Sequence, residues 1–225
     1  MNNKTPLLFL LLVLFSSFIS GQEKDFKSWN SVQASLELTK NMDFKLEQEF
    51  RFEDNASYLG DYLTIAGVSY KINKFVQVRG YYRFQINRNP KIGYETISRL
   101  YGDVRLKERF GRFDFLYRAR YQINFLPDND ADFTYLNPQH LRHKVQVAYD
   151  IPKNKIDPFV SYEMYQALNN PIKNTVETHR YSAGLAFPVS NQLDAEIYYR
   201  IEKENDLIHK AKLNYVLGIG LSIDL

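Results

Sequence analysis

Hydrophobic and polar residues alternate one by one along most of this chain, from residue 31 to the end. The clearest stretch is the last, 213–225, where every odd position is large and apolar and the even positions are mostly small or polar. Because successive side chains of a strand point to opposite faces, this period of two predicts β-strands with one apolar face. No segment has a convincing helical period, so the sequence predicts an all-β protein.

The alternation divides the chain into eleven predicted strands, and short and long connections between them follow one another, as in barrels built from hairpins. A barrel with both termini on one side needs an even number of strands. We therefore expect ten or twelve, with 25–30 as the candidate for a further strand. The long connections are predicted at 53–60, 87–94 and 126–139, and the strands at 31–39, 42–52, 62–72, 75–86, 96–108, 113–125, 141–149, 158–168, 175–187, 193–201 and 213–225.

Alternation alone does not say which face lies inside. The predicted strands are about 9–13 residues long, whereas a soluble strand has about 5–6 and a bilayer crossing needs about 9–11. Aromatic residues on the apolar face gather towards strand ends, as interfacial girdles require. We therefore predict a transmembrane antiparallel up-and-down β-barrel of about 10–12 strands, with short periplasmic turns and longer external loops. A soluble periplasmic β-barrel that binds an apolar ligand is the alternative.

The N-terminal segment indicates export. Lys4 precedes an apolar run at 7–15, which continues to small residues at 20–21. This order is typical of a secretory signal peptide, and the run is shorter than the about 20 residues that span a bilayer as a helix. We predict a signal peptide over 1–21, cleavage near Gly21–Gln22, and a single barrel domain over 22–225. The predicted location is the outer membrane of a Gram-negative bacterium.

The amino-acid composition limits the binding partners that this chain can have. The chain has no cysteine, which excludes a lipoprotein anchor, disulfides and thiolate metal sites. Its net charge of +3 gives no argument for nucleic-acid binding. A mean hydropathy of −0.42 resembles that of a soluble protein, but barrel strands turn only every second residue to lipid. The expected partners are outer-membrane lipid, lipopolysaccharide and the barrel assembly machinery, and we expect a monomer that binds no nucleic acid.

Short motifs spread over the predicted mature chain resemble the uncharacterised outer-membrane proteins grouped as domain of unknown function 2490. The resemblance implies an outer-membrane barrel and no established activity. The chain departs from many such barrels by ending in Leu225 rather than Phe, so assembly machinery that reads an aromatic terminus would handle it less efficiently. The motifs are Trp29-Asn30, Leu46-Glu47-Gln48-Glu49-Phe50-Arg51-Phe52, Tyr81-Tyr82-Arg83-Phe84, Arg118-Ala119-Arg120, Leu141-Arg142-His143, Pro158-Phe159-Val160-Ser161-Tyr162-Glu163, and Arg180 with Gly184-Leu185.

Arginine and carboxylate residues recur on the polar face of the strands, which a membrane barrel turns inward. Charges shielded from water must be paired, and the planar fork of arginine suits carboxylates. One hypothesis is a structural ladder that fills a narrow barrel; the other is a basic constriction that selects small anionic solutes. At this strand number only a narrow channel fits. The predicted lumen residues are Glu49, Arg51, Arg83, Arg99, Arg118, Arg120, Arg142, Glu163, Arg180 and Arg200.

No residue pattern predicts catalysis, a metal or a cofactor. His140, His143, His179 and His209 match no metal-site spacing, and the acidic stretch 128–132 lacks the Gly and the terminal Glu of an EF-hand loop. A membrane-embedded lipid-modifying enzyme, the alternative function, needs a nucleophile with a positioned base. Although Ser98, Ser161 and Ser182 are available, no GxSxG motif accompanies them. We therefore expect no enzyme activity.

The lumen side of the last strand differs from the arginine-rich strands before it. Its residues are Asn214, Val216, Gly218, Gly220 and Ser222, which are small and uncharged. We therefore expect any opening inside the barrel to lie along this strand, opposite the wall that carries Arg118 and Arg142.

Overall fold

The alternating segments form a closed barrel in the computed structural model, which describes residues 23–89, 93–126, 137–170, 173–205 and 211–225. No described residue belongs to a helix long and apolar enough to cross a membrane. The predicted signal peptide lies outside the described residues. The strands are β1 Glu23–Thr39, β2 Met42–Glu53, β3 Tyr58–Lys71, β4 Val76–Asn89, β5 Gly93–Phe110, β6 Phe113–Phe125, β7 Gln139–Tyr149, β8 Asp157–Ala167, β9 Val176–Pro188, β10 Leu193–Glu204 and β11 Lys212–Asp224.

Each strand pairs antiparallel with its neighbours in the chain, and the barrel closes through a parallel pair of β1 and β11. This pair, the seam, runs in register from Glu23–Lys212 to Ser35–Asp224. Across the described ranges the count of eleven strands is confirmed, and the expectation of ten or twelve was wrong because a parallel pair lets an odd number close. The stretch 25–30 is no separate strand: it is part of the first half of β1.

The odd number places the start of β1 and the finish of β11 at opposite ends of the barrel. We call the end with Leu225 and the connections 40–41, 72–75, 111–112, 150–156 and 189–192 the turn end. The opposite end, the loop end, holds Glu23, the connection 54–57, and the strand ends at Asn89, Phe125, Ala167 and Glu204. Two connections predicted to be long are short, because pairing continues to Glu53–Tyr58 and to Asn89–Gly93.

The apolar face of the strands points outward and the charged face points inward. Val160 and Leu100 expose 59% and 52% of their surface, whereas Arg83, Arg142 and Glu163 are buried inside. The soluble alternative needed the apolar face inside, so its arrangement of faces is wrong for this barrel. The described strands enclose a polar lumen instead of an apolar ligand pocket.

Inward aromatic rings fill the barrel beside glycines of neighbouring strands. A Cβ atom added to Gly218 would lie 2.0 Å from the Tyr198 ring, and one added to Gly67 would lie 2.2 Å from Tyr81. Only glycine lets rings pack so closely on the sheet. The expected opening along β11 was therefore wrong at Gly218, where Tyr198 takes the space, and β11 reaches the central cavity only at Gly220.

Candidate functional site

A central cavity of about 540 Å³ lies in the lumen, and every one of the eleven strands contributes to its wall. All ten lumen residues singled out from the sequence line it, although their function stays a prediction. Among the described residues, four glutamates of the wall face eleven cations, so the wall carries an excess of positive charge. The glutamates are Glu47, Glu49, Glu163 and Glu196; the cations are Arg51, Arg79, Arg83, Arg99, Arg105, Arg118, Arg120, Arg142, Lys144, Arg180 and Arg200.

Asp103 neutralises two of these arginines and forms the Asp103 cluster with them. It lies directly opposite Arg79 on β4 and opposite Arg120 on β6. Arg79 binds both carboxylate oxygens, at 2.6 and 2.8 Å, and Arg120 donates to Oδ2 at 2.7 and 3.0 Å. The Asp103 side chain is completely buried. Charge-assisted bonds of this kind are short and strong, so the cluster links three strands firmly.

Glu163 on β8 serves a second pair of arginines. Arg142 donates to its Oε1 atom at 2.8 and 3.1 Å, and Arg118 donates to the same atom. Arg142 also donates to Gln122 at 3.0 Å, and its guanidinium lies 3.9 Å from the centroid of the Tyr165 ring. Arg142 is therefore held on three sides, whereas Arg118 depends on one shared oxygen.

The Trp29 ring on β1 contacts three lumen arginines. The Trp29 ring lies 4.0 Å from the guanidinium of Arg51, 5.0 Å from that of Arg200 and 5.1 Å from that of Arg180. Arg51 also binds Glu49 at 2.9 Å. The face of an indole attracts cations, so one uncharged residue gathers arginines from three strands.

Two arginines of this group have further partners on β8 to β10. Arg180 donates to the Glu202 carboxylate and to the Tyr165 hydroxyl. Arg200 donates to the Ser182 hydroxyl at 3.0 Å. The lumen between β8 and β1 is thus closely hydrogen-bonded.

Arg83 and Arg99 form a like-charged pair, directly opposite each other on β4 and β5. Arg83 donates to Gln85 and Arg99 donates to Asn124, each at 2.5 Å, so both have neutral acceptors. In the described part of the chain, neither has a carboxylate at ion-pair distance. Like charges directly opposite on a sheet repel, and amide oxygens offset this repulsion only in part.

Three further cations lie side by side on β5, β6 and β7, and we call them the cationic triad. Arg105 lies opposite Arg118, and Arg118 lies opposite Lys144. Over the described ranges, the only carboxylate at ion-pair distance from the triad is Glu163, which Arg118 shares with Arg142. The Nε atoms of Arg105 and Arg118 are buried and have no hydrogen-bond partner among the described residues. The triad therefore places three adjacent cations beside one shared carboxylate.

Some residues that shape the lumen were missed as site residues. Lys144 was not among the ten predicted lumen residues, Trp29 only supported the resemblance, and Glu202 followed the predicted strand 193–201. The alternation itself could have found two of them: Trp29 has the parity of Ser31 and Gln33, and Glu202 that of Arg200. They were missed because the predicted strands 31–39 and 193–201 were too short to include them.

The histidines do not meet the serines that the enzyme hypothesis requires. His143 is hydrogen-bonded to the Tyr117 hydroxyl at 2.7 Å, and His179 to that of Tyr162 at 2.8 Å. These are side chains of the outward parity, whereas His140 binds Glu177 at 2.9 Å. The geometry of the described histidines gives the enzyme hypothesis no support.

Ser98 contacts the Tyr82 hydroxyl at 2.7 Å, so it too is bonded to a tyrosine. No group of three or more potential metal ligands occurs in the ranges that the structure describes. His209 and the acidic stretch 128–132 lie outside those ranges.

Comparison with known proteins agrees with the barrel's extent. A family model described as "Protein of unknown function (DUF2490)" matches residues 26–211, from within β1 to the residue before β11. A search of curated proteins finds no match to this chain.

Proposed function

Because the chain belongs to the DUF2490 family of proteins of unknown function, its activity must be inferred from its geometry, and we propose an outer-membrane barrel with a narrow, anion-preferring lumen. The proposal has two parts. The first is the membrane location, and the second is the preference for small anionic solutes. They rest on different observations and are tested separately.

The outward apolar face supports the membrane location. The strands are 11 to 18 residues long, enough for the about 9–11 residues of a tilted crossing. Closure of the sheet leaves no unpaired strand edge for lipid to cover, which is the condition for a spanning sheet. A bilayer around the barrel would cover apolar side chains that water otherwise meets.

The excess of cations on the cavity wall carries the proposal of anion preference. Eleven basic side chains and four glutamates line the cavity, and Asp103 and Glu202 neutralise three of the arginines. The cations still outnumber these six carboxylates, which gives a positive potential in a space enclosed by protein. Rings of arginine and lysine favour anions in narrow pores, and low-dielectric walls strengthen the field. The paired arginines keep the wall rigid, and the unpaired ones supply the attraction.

Fractionation tests the location. We expect the protein to need detergent for extraction, and to migrate on gels at a position that changes on heating, because closed barrels resist unfolding in detergent. Release of the folded protein into a clear osmotic-shock fraction would contradict the membrane location.

Planar-bilayer recording tests the lumen. In a potassium chloride gradient we expect small conductance steps and a reversal potential of the sign for chloride, because the wall repels potassium ions. A reversal potential of the opposite sign would disprove the anion preference. Folded protein that conducts nothing across a range of voltages would contradict the channel.

A further inference from the structure

We propose that the cationic triad of Arg105, Arg118 and Lys144 binds a multiply charged oxyanion of the phosphate class. The site rests on the proposed function in one respect, because the lumen must admit the solute. It goes further by assigning the ligand chemistry to three named side chains.

The sheet register builds the triad. Arg105, Arg118 and Lys144 occupy directly opposed positions on three consecutive strands, where opposed Cβ atoms lie about 4.5–5.5 Å apart. All three side chains line the central cavity. Three cations thus approach one small volume, and a group with several charged oxygens can contact all of them.

The net positive charge of the triad favours a ligand with two negative charges. Glu163 gives Arg118 one oxygen, which Arg142 also uses, and no described carboxylate pairs with Arg105 or Lys144. About two positive charges therefore stay uncompensated, which a dianion balances better than chloride does. Phosphate near neutral pH approaches that charge.

The hydrogen-bond donors of the triad favour a tetrahedral oxyanion. The buried Nε atoms of Arg105 and Arg118 lack acceptors within the described chain, and an unmet buried donor is unfavourable. Tetrahedral oxyanions present several acceptor oxygens, and arginine forks bind them bidentately while lysine adds a point charge. The triad supplies two forks and one such charge.

The neighbouring Asp103 cluster shows that the triad is not merely space-filling. Asp103 lies two positions before Arg105 on the same face of β5 and binds two arginines. The same wall thus neutralises its cations where they only link strands. Arg83 and Arg99 have amide acceptors at 2.5 Å, although the Nε atom of Arg83 also lacks a partner among the described residues. The triad differs because two such donors lie on directly opposed residues, Arg105 and Arg118.

Phosphate titration of the folded full-length barrel in detergent tests the site. Binding of inorganic phosphate is followed by calorimetry and by the rise in thermal unfolding midpoint, with chloride at matched ionic strength as the comparison. We expect phosphate to bind at least ten times more tightly than chloride. Arg105→Gln should weaken phosphate binding about tenfold or more, and Arg105→Lys should weaken it less.

Arg109→Gln is the matched control, because it removes the same charge from the same face of β5 at the turn end. The Arg109 side chain is 57% exposed, and phosphate affinity should stay within twofold of the wild type. Without phosphate, Arg105→Gln should unfold at the same temperature as the wild type or higher, since it relieves repulsion. Heat-modifiable migration checks that each variant is folded.

The outcomes separate the site from the proposed function. Equal affinity for phosphate and chloride, or an Arg105→Gln variant with wild-type phosphate affinity, overturns the site even if anion conductance is found. Phosphate binding that needs Arg105 upholds the site even if no current flows. Anionic lipid added to the detergent should leave the titration unchanged, because the triad faces the lumen; competition by lipid would overturn a solute site.

Discussion

The Asp103 cluster and the cationic triad lie on neighbouring positions of one wall, yet arginine is neutralised in the cluster and only partly neutralised in the triad. In the cluster, one buried carboxylate binds the forks of Arg79 and Arg120. In the triad, Arg105 and Arg118 retain buried donors without acceptors in the described chain. A structural ladder and a ligand site therefore need not exclude each other, because one lumen contains both neutralised and unneutralised arginines.

The energetic consequences of the two arrangements differ in sign. Once formed, a buried ion cluster adds little net stability, but the loss of one member leaves the other charges buried and unpaired. In the triad, Arg105 and Lys144 already lack a carboxylate at ion-pair distance among the described residues. Loss of the shared carboxylate should therefore destabilise the cluster, whereas loss of a cation, as in Arg105→Gln, should relieve the triad. Two carboxylate substitutions extend this contrast.

Asp103→Asn should have the largest effect. It keeps the side-chain shape but removes the charge that Arg79 and Arg120 share, and the unfolding free energy should fall by about 3–5 kcal/mol. Denaturant unfolding followed by the fluorescence of Trp29, the chain's one tryptophan, measures the change. Asp114→Asn is the control, because Asp114 pairs with the exposed Arg109 and its loss should leave the midpoint nearly unchanged. Equal effects of the two substitutions would contradict the strong dependence of the buried cluster on its shared carboxylate.

Glu163→Gln should have a smaller effect on stability and should extend the triad. Arg142 keeps the Gln122 acceptor and the Tyr165 ring, so the expected loss of unfolding free energy is about 1–3 kcal/mol. Because Arg118 loses its carboxylate, phosphate affinity should rise about threefold or more, measured by the same calorimetric titration. Arg109→Gln again serves as the control, and an unchanged or weaker affinity for phosphate would contradict our view of the triad.

The sequence was sufficient for the strands and for their two faces. In β6, the alternation of Tyr117, Arg118, Ala119 and Arg120 places both arginines inside, and the structure agrees. This works because strand side chains alternate regardless of what the neighbouring strand is.

The pairing of the arginines could not be read from the chain. Arg118 and Arg120 stand in one short Arg-Ala-Arg motif, but Arg120 binds Asp103 whereas Arg118 binds Glu163, 45 positions away. Partners are set by the register between strands, and a shift by one residue would invert the faces. The parallel direction of the seam could not be predicted for the same reason, because the sequence of β1 does not determine whether β11 runs parallel to it.

The seam also has a consequence for how quickly the barrel forms. All other strand pairs join neighbours in the chain, so they can form as successive hairpins, whereas Glu23 and Lys212 are about 190 positions apart. Bringing such distant segments together costs about 4–5 kcal/mol of chain entropy by the loop-closure relation, and contacts of long sequence separation slow folding. Parallel pairing is also slightly less stable per residue than antiparallel pairing. We therefore expect closure between the first and last strands to be the slowest step of folding, after the hairpins have formed.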